Sequence, residues 1–505
     1  MDYTFGPFTL SLLRLQLLNG ETPVQLEPQV FALLQLLVEN HDRVVTRDEI
    51  FEIVWKGKAV SDAALSSRIK VARAAIGDSG GEQRFIRTVH GRGFQFTGTV
   101  NVLKDADVVR AGAPALPSRP GLAIMPMQML NPDDGQSDFG TGLADDVITA
   151  LGRIQALYIV PVPEQADPRR IAKDLGVRYI LGMRMRFSGA AYRMNAMLLD
   201  ADGMEEVWAS RFSGTIADDP FITQDQLTAS VMGALVPNVL MVEVRQAAER
   251  DGKVSETYRD FLRAIPLCWT ALADENKQAI DLLRTALERD PDYALSHALL
   301  AWCLGQQRMY MWTDDADAVS EAVRHHVRRA LRISPDNSLV LTFVSNAETA
   351  IGENASAEHH IAKALEIDPY SAWAWCRVGF IRIFDGEGER AREAFEKALA
   401  LSPHDPLRHS IYFGLGASYF ASDDHQMALR WLERALVEHP EKVSVHRLLA
   451  AASAAAGDQA RAKRSVAALR EVMPDITAEE LVRSTPIKNA AFREKVLSAY
   501  KKAGF

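Results

Sequence analysis

Between residues 63 and 77 this 505-residue chain carries Ser66, Ser67, Arg68, Lys70, Val71 and Arg73 and no acid. At 100° per residue, a helix over this stretch gathers Leu65, Ile69, Ala72 and Ile76 on one face for burial. The opposite face presents Ser67, Lys70, Val71 and Ala74, with Ser66, Arg68 and Arg73 beside them. Small residues at the centre and cations at the edges suit a major groove. There Ser and Lys can bond base edges, a Val methyl can meet thymine, and Arg can meet phosphate. A merely solvated helix face mixes charges of both signs, and this one has no negative charge. A little further on, FIRTVHGRGFQF (85–96) reads as two strands around a cation set between glycines. Glycine weakens strand interiors, so the pair marks a tight turn or a close backbone approach. Arg92 is therefore expected at a hairpin tip, with Thr88, His90 and Gln95 along its arms.

The elements that must hold these residues are legible upstream. TFGPFTL and PVQLEP read as short strands and VFALLQLLVEN as an apolar helix. Thr46-Arg47-Asp48-Glu49 has capping-box spacing and opens a second helix through Val54 and Trp55. After KGKAV, Ser61 or Asp62 caps the third helix, from about residue 62 to 76. Charge follows the same division. Residues 56–98 hold eight Lys/Arg against three acids, whereas residues 1–55 hold three against eight. The net charge of the whole chain is −9, which argues against a surface that binds nucleic acid throughout. A local basic patch is what a polyanion partner requires.

The order of elements and the closing hairpin resemble the winged-helix output domain of response regulators of the OmpR/PhoB type. The phrases carrying the likeness are LEPQVFALLQLLVENHDRVVTRDEI, VSDAALSSRIKVARAAIGD and IRTVHGRGFQF, within residues 5–98. The resemblance implies that the third helix reads double-stranded DNA and that the hairpin is the wing, with a basic residue in the minor groove. It also implies that the loop Trp55–Val60, with Trp55, Lys56 and Lys58, contacts RNA polymerase. The family often has Arg after the Gly-aromatic pair, where this chain has Gln95; Arg92 is the substitute. No receiver domain precedes the winged helix, so the layout is similar to the one-component ToxR-, CadC- and HilA-like activators.

The rest of the chain has two textures. LAIMPMQM (122–129), LYIVPV (157–162) and the run YILGMRMRFSG, AYRMNAMLLDADG, MEEVWASRFSG read as strands. DFGTGLADDVITALGRI (138–154) and DPRRIAKDLG (167–176) read as helices. The mixed α/β order resembles a TolB-like domain, through GLADDVITAL, IAKDLGVRYILG and LLDADGMEEVWASRF. Beyond residue 245, "AL, three residues, P" recurs, ending at Pro291, Pro335, Pro369, Pro403 and Pro440, with a looser copy at Pro474. The spacings of 44, 34, 34, 37 and 34 residues centre on the period of the tetratricopeptide repeat. The ten extra residues, about QQRMYMWTDD (306–315), fall in the turn inside one repeat, and FREKVLSAYKKAGF suits a capping helix.

The expected architecture is multidomain. A winged helix-turn-helix domain occupies 1–100, a linker 101–121, a mixed α/β TolB-like domain 122–245 and an all-α repeat solenoid 246–505. Catalytic chemistry is not expected. Within residues 122–245 GxxxxGK[ST] and GxSxG are absent, and Asp145-Asp146 suit a helix N-terminus. The adjacent pairs His325–His326 and His359–His360 point to different sides of a helix, so no metal and no cofactor is expected. Cys268, Cys303 and Cys376 have no ligand or redox spacing, which fits a reducing compartment. No signal-peptide pattern opens the chain and no run is read as approaching the 18 or so apolar residues of a membrane span, so the expectation is a cytoplasmic protein without one. The expected function is that of a sequence-specific DNA-binding transcriptional regulator, an activator rather than a repressor, with repeats expected to take a protein or peptide partner or to form a homo-oligomer. The alternative is a repeat scaffold whose winged helix contacts protein. A cyclase-type enzyme is a further rival, since similar TolB-repeat modules accompany cyclases.

Overall fold

Gly6 turns the chain at φ +53°, and β1 (Asp2–Phe5) pairs antiparallel with β2 (Phe8–Ser11), Phe5 opposite Phe8. The computed structural model describes residues 2–11, 16–20, 22–24, 26, 28–55, 62–89, 91–103, 119–130, 134–162, 176–217, 219–247, 254–440 and 442–505. They divide into two compact units, Met1–Ala115 and Leu116–Phe505.

In the first unit β3 (Gln16–Asn19) and β4 (Thr22–Val24) continue the meander. Helix α1 (Pro28–Glu39) starts on proline, whose missing N–H costs nothing there. After it come β5 (Val45–Thr46), α2 (Arg47–Trp55) and α3 (Asp62–Ala75). The expected capping box is present: Thr46 N–H donates to Glu49 Oε2 at 2.8 Å, and Glu49 N–H to Thr46 Oγ1 at 3.3 Å. A hairpin follows, β6 (Ile86–Val89) against β7 (Gly93–Phe96), and β7 pairs also with β5. Then β8 (Asn101–Leu103) runs antiparallel to the outer side of β1. The start of the expected linker is thus a fifth strand, which covers an edge that would otherwise be open. The core is formed by Leu33, Leu34 and Leu37 of α1, the inner face of α3, and the rings of Phe5, Phe85 and Phe96. Phe5 and Phe96 meet edge-on at 4.9 Å.

The second unit opens with β9 (Gly121–Ile124) and β10 (Gln128–Leu130), two strands where a single one was expected. Helix α4 (Asp134–Gly152), β11 (Tyr158–Pro161) and a meander β12 (Tyr179–Ser188), β13 (Ala191–Asp200) and β14 (Glu205–Thr215) follow. The sheet order is β11-β9-β12-β13-β14, with β10 parallel to β12. The turn at Ser188-Gly189 uses Gly189 at φ +61°. The expected helix over 167–176 lies outside the described residues.

Helix α5 (Pro220–Gln246) packs with α4 on the sheet. Among the described residues it is the one helix long and apolar enough to cross a membrane, with an 18-residue window of mean hydropathy 1.6. Thr, Ser, Gly and Asn interrupt its apolar run, and sequence reasoning overlooked it. Leu227, Val231, Met232, Leu235, Val239 and Val242 are buried against sheet and helix.

The helical array follows in pairs: Glu256–Thr270 with Ala273–Arg289, Ala294–Met309 with Ala316–Ile333, Ser338–Ala350 with Asn354–Ile367, Ala372–Phe384 with Gly388–Leu401, Arg408–Ala421 with His425–Glu438, and Val443–Ala455 with Gln459–Val472. Ala478–Ser484 and Ala490–Ala503 close it. Each recurring proline lies two residues beyond the second helix of a pair. Ala391, Ala398, Ala428 and Ala435 have no exposed surface, and a Cβ on Gly416 would lie 2.7 Å from Leu432. The extra residues in the long repeat are shared: the first helix lengthens to Met309, and the remainder forms the turn. The histidine pairs serve packing. His326 Nδ1 lies 2.8 Å from His297 Nδ1, and His360 Nδ1 is 2.8 Å from Glu348 Oε2.

Candidate nucleic-acid interface

Helix α3 divides as its period demands. Leu65, Ile69, Ala72 and Ile76 are at most 2% exposed, while Ser66, Ser67, Lys70, Val71 and Ala74 are exposed. Val71 retains 38% of its surface, an apolar side chain left in water between Ser67 and Lys70. Arg68 is partly covered and makes interactions of its own.

Arg73 departs from expectation. It is 9% exposed and its guanidinium turns inward. Nε and Nη2 donate to the carbonyl of Ile86 at 3.1 and 2.8 Å, and Nη2 donates to Thr88 Oγ1 at 2.9 Å. Burial draws its pKa down, and Asp78 partly offsets this. A side chain engaged in this way ties α3 to β6 and is not a free phosphate contact. The expectation for Arg73 is corrected accordingly. Thr88 is committed as well: its hydroxyl takes the Arg73 bond, and its N–H donates to Gln83 Oε1 at 2.8 Å.

Asp78, which sequence reasoning passed over, organises the same junction. Its Oδ1 accepts from the N–H of Ser79 and Arg84 at 2.7 and 2.8 Å, and its Oδ2 from Phe85 and Ile86 at 2.9 Å each. Burial opposes its ionisation, but the backbone donors outweigh burial and hold the carboxyl below its usual range. The only local signal was an acid directly after a helix-ending glycine.

In the wing, residues 90–92 connect Val89 to Gly93, and Arg92 N–H donates to Val89 O at 3.0 Å. Gly91 has φ +73° in open space. Gly93 has another reason. A Cβ there would lie 2.0 Å from the carbonyl oxygen of Val45, where β5 pairs with β7. The two glycines thus answer to a turn and to a close approach respectively. Arg92 between them is exposed. Gln95 is half-buried, and its Oε1 accepts from Arg87 Nη2 at 2.7 Å across the hairpin. This pairing adds Arg87 to the wing's outward face. The side chains of Trp55, Lys56, Lys58 and His90 lie outside the described residues.

Comparison with known proteins bears on this unit. Residues 20–96 match the family described as "Transcriptional regulatory protein, C terminal", and residues 370–436 match the tetratricopeptide repeat. Over 103 residues the chain is 35% identical to the cholera toxin homolog transcriptional activator of Vibrio parahaemolyticus, covering 20% of this chain and 35% of that protein. The winged-helix unit is homologous to transcriptional regulators. The phosphate regulon transcriptional regulatory protein PhoB of Escherichia coli is 30% identical over 83 residues, 16% of this chain and 36% of that one. A third relative, named "Putative adenylate cyclase 3", of Rhizobium meliloti, is 30% identical over 198 residues, 37% of this chain and 33% of its own. The chain spans about a third of the length of these relatives.

Proposed function

We propose that this chain is a sequence-specific DNA-binding transcriptional regulator of the activator kind, working in the cytoplasm and without catalysis of its own. The observation that carries the reading is the outer face of α3. Ser66, Ser67, Lys70 and Val71 stand exposed without an acid, and the exposed Arg92 marks the hairpin tip that follows. Ser and Lys can reach base edges, Val71 can meet a thymine methyl, and Arg92 suits a narrow minor groove, where the negative potential is greatest. Of the residues first considered, Arg73 and Thr88 hold the scaffold, and Gln95 reaches DNA together with Arg87. The strands and helices of residues 122–245 are proposed as a TolB-like domain and the repeats as a docking site for protein. RNA polymerase and a second copy of the chain are the other proposed partners.

Selection of bound duplexes from a random pool by the full chain tests the reading. It should yield a recurring site, and Lys70→Ala should lose about 1–3 kcal/mol on that site. A pool with no enriched sequence, from folded protein, would overturn it and leave the scaffold alternative.

A further inference from the structure

The helical array lines a half-open cavity of about 270 Å³. Its wall is assembled from many repeats, with Trp269, Trp302, Phe380, Phe384, Phe413 and Tyr500 of the last helix among the lining residues. Lys442 closes the ring. Its Nζ donates to the carbonyls of Trp269 and Thr270, some 172 residues earlier in the chain. The volume falls just below the roughly 300–1,000 Å³ of small-molecule pockets.

Three cations, Arg377, Lys442 and Arg447, lie in this mostly apolar wall, and among the described residues no Asp or Glu does. Two of them are engaged: Lys442 as above, and Arg447 through Nη2 with Leu481 O at 2.8 Å and Thr485 Oγ1 at 2.9 Å. Arg377 is different. It is 6% exposed, and Nη1 donates to Asn346 Oδ1 at 2.8 Å, yet Nε and Nη2 are buried without a hydrogen-bond partner. Those two atoms share one edge of the planar guanidinium, the edge that takes a carboxylate through two parallel N–H···O bonds. Phe380 and Phe384 stack near the same group, at 5.6 and 5.9 Å from their ring centres. A buried cation without a partner is costly, which favours an arrangement that an anion completes.

His409, Tyr310 and Tyr500 also line the space. His409 is held by burial down to about 3, so its imidazole is neutral. Asp405 lines an adjoining cavity of about 100 Å³, which Arg377 lines too, and burial raises its pKa. Its Oδ1 is taken by Trp373 Nε1 at 3.1 Å and Leu407 N–H at 2.8 Å, its Oδ2 is buried without a hydrogen-bond partner, and no ion pair joins it to Arg377 among the described residues.

We propose that this cavity binds a small monocarboxylate with an apolar body, its carboxylate held side-on by Nε and Nη2 of Arg377 and its body against the aromatic wall. The inference rests on the array alone and stands apart from the DNA-binding reading. Titration calorimetry on the full chain near neutral pH tests it, with hydrocinnamate and octanoate as probes and their primary amides as neutral counterparts. At least one acid should bind with Kd of about 1 mM or tighter, and its amide about tenfold or more weakly. Arg377→Gln, folded by circular dichroism, should remove the preference for acid over amide. Ser410→Phe, which fills the cavity, should remove both. The proposal fails if neither acid binds, if acid and amide bind alike, or if folded Arg377→Gln keeps the preference. Tighter binding of a pentapeptide with a free C-terminus than of either acid would overturn it in favour of a peptide site.

Discussion

Arg73 and Lys70 are three residues apart on one helix, yet burial gives them opposite work. Lys70 is exposed, while Arg73 spends its guanidinium on Ile86 and Thr88. Arg73→Ala should therefore destabilise Met1–Ala115 by about 2–4 kcal/mol, since charged hydrogen bonds are lost and the Ile86 carbonyl is orphaned. Lys70→Ala should leave stability within about 0.5 kcal/mol. Urea melts of the two variants separate the roles, and equal stabilities would return Arg73 to the surface. Asp78 adds a pH dependence of known sign. Its folded pKa lies below the unfolded one, so its contribution is present above the ordinary carboxylate range near 4 and is lost as pH falls through the lower folded value. Acid titration of wild type should show this loss of stability. Asp78→Asn, which turns an amide NH2 toward backbone donors, should already be weakened at neutral pH and should flatten the acid limb. An unchanged limb would remove Asp78 from that role.

At the scale of elements, the two glycines of the wing make a sharp contrast. Gly93→Ala drives a Cβ into the Val45 carbonyl at 2.0 Å, and a backbone atom has nowhere to go. Gly91→Ala meets open space and carries only the cost of a left-handed φ, about 1–2 kcal/mol. Gly93→Ala should cost more than Gly91→Ala by a margin visible in Tm, and the reverse order would refute the β5–β7 pairing at Gly93. In the array, Ala398→Asp places an unpaired carboxylate at a position with no exposed surface and should destabilise the whole solenoid. What the sequence allowed depended on range. The inner face of α3, the Thr46–Glu49 box and the repeat prolines are signals within a few residues, and all were legible. The Arg73 tie to Ile86 joins residues 13 apart across two elements. The Lys442 closure spans 172 residues, and Arg377's cavity takes its wall from Trp269 to Tyr500. No local pattern encodes partners at such distances. The α5 helix was missed for another reason: burial by neighbours tolerates scattered polar residues that break up an apolar run.

The molecule as a whole distributes charge unevenly between its units. Residues 1–115 hold thirteen basic and thirteen acidic residues, so the net −9 falls entirely on residues 116–505. Within the first unit, the cations cluster in 56–98, the stretch that contains the proposed groove-binding face. Phosphate attraction is therefore local, while the second unit contributes a field that repels DNA over a distance set by salt. The Debye length is about 30 Å at 0.01 M and about 8 Å at 0.15 M. Met1–Ala115, which has its own core, should bind random duplexes more tightly than the full chain at low salt. The two affinities should converge as salt rises and the acidic unit is screened. On the selected site both should show the same base preference, because the proposed DNA contacts, on α3 and the hairpin, all lie within the first unit. Both should also weaken with salt, by about 0.9 in the log–log slope for each phosphate neutralised. Leu116–Phe505 should show no affinity at any salt. Fluorescence anisotropy across a salt series on the three proteins decides the matter. Tighter random binding by the full chain at low salt, or measurable binding by Leu116–Phe505, would mean that the second unit holds a nucleic-acid surface of its own.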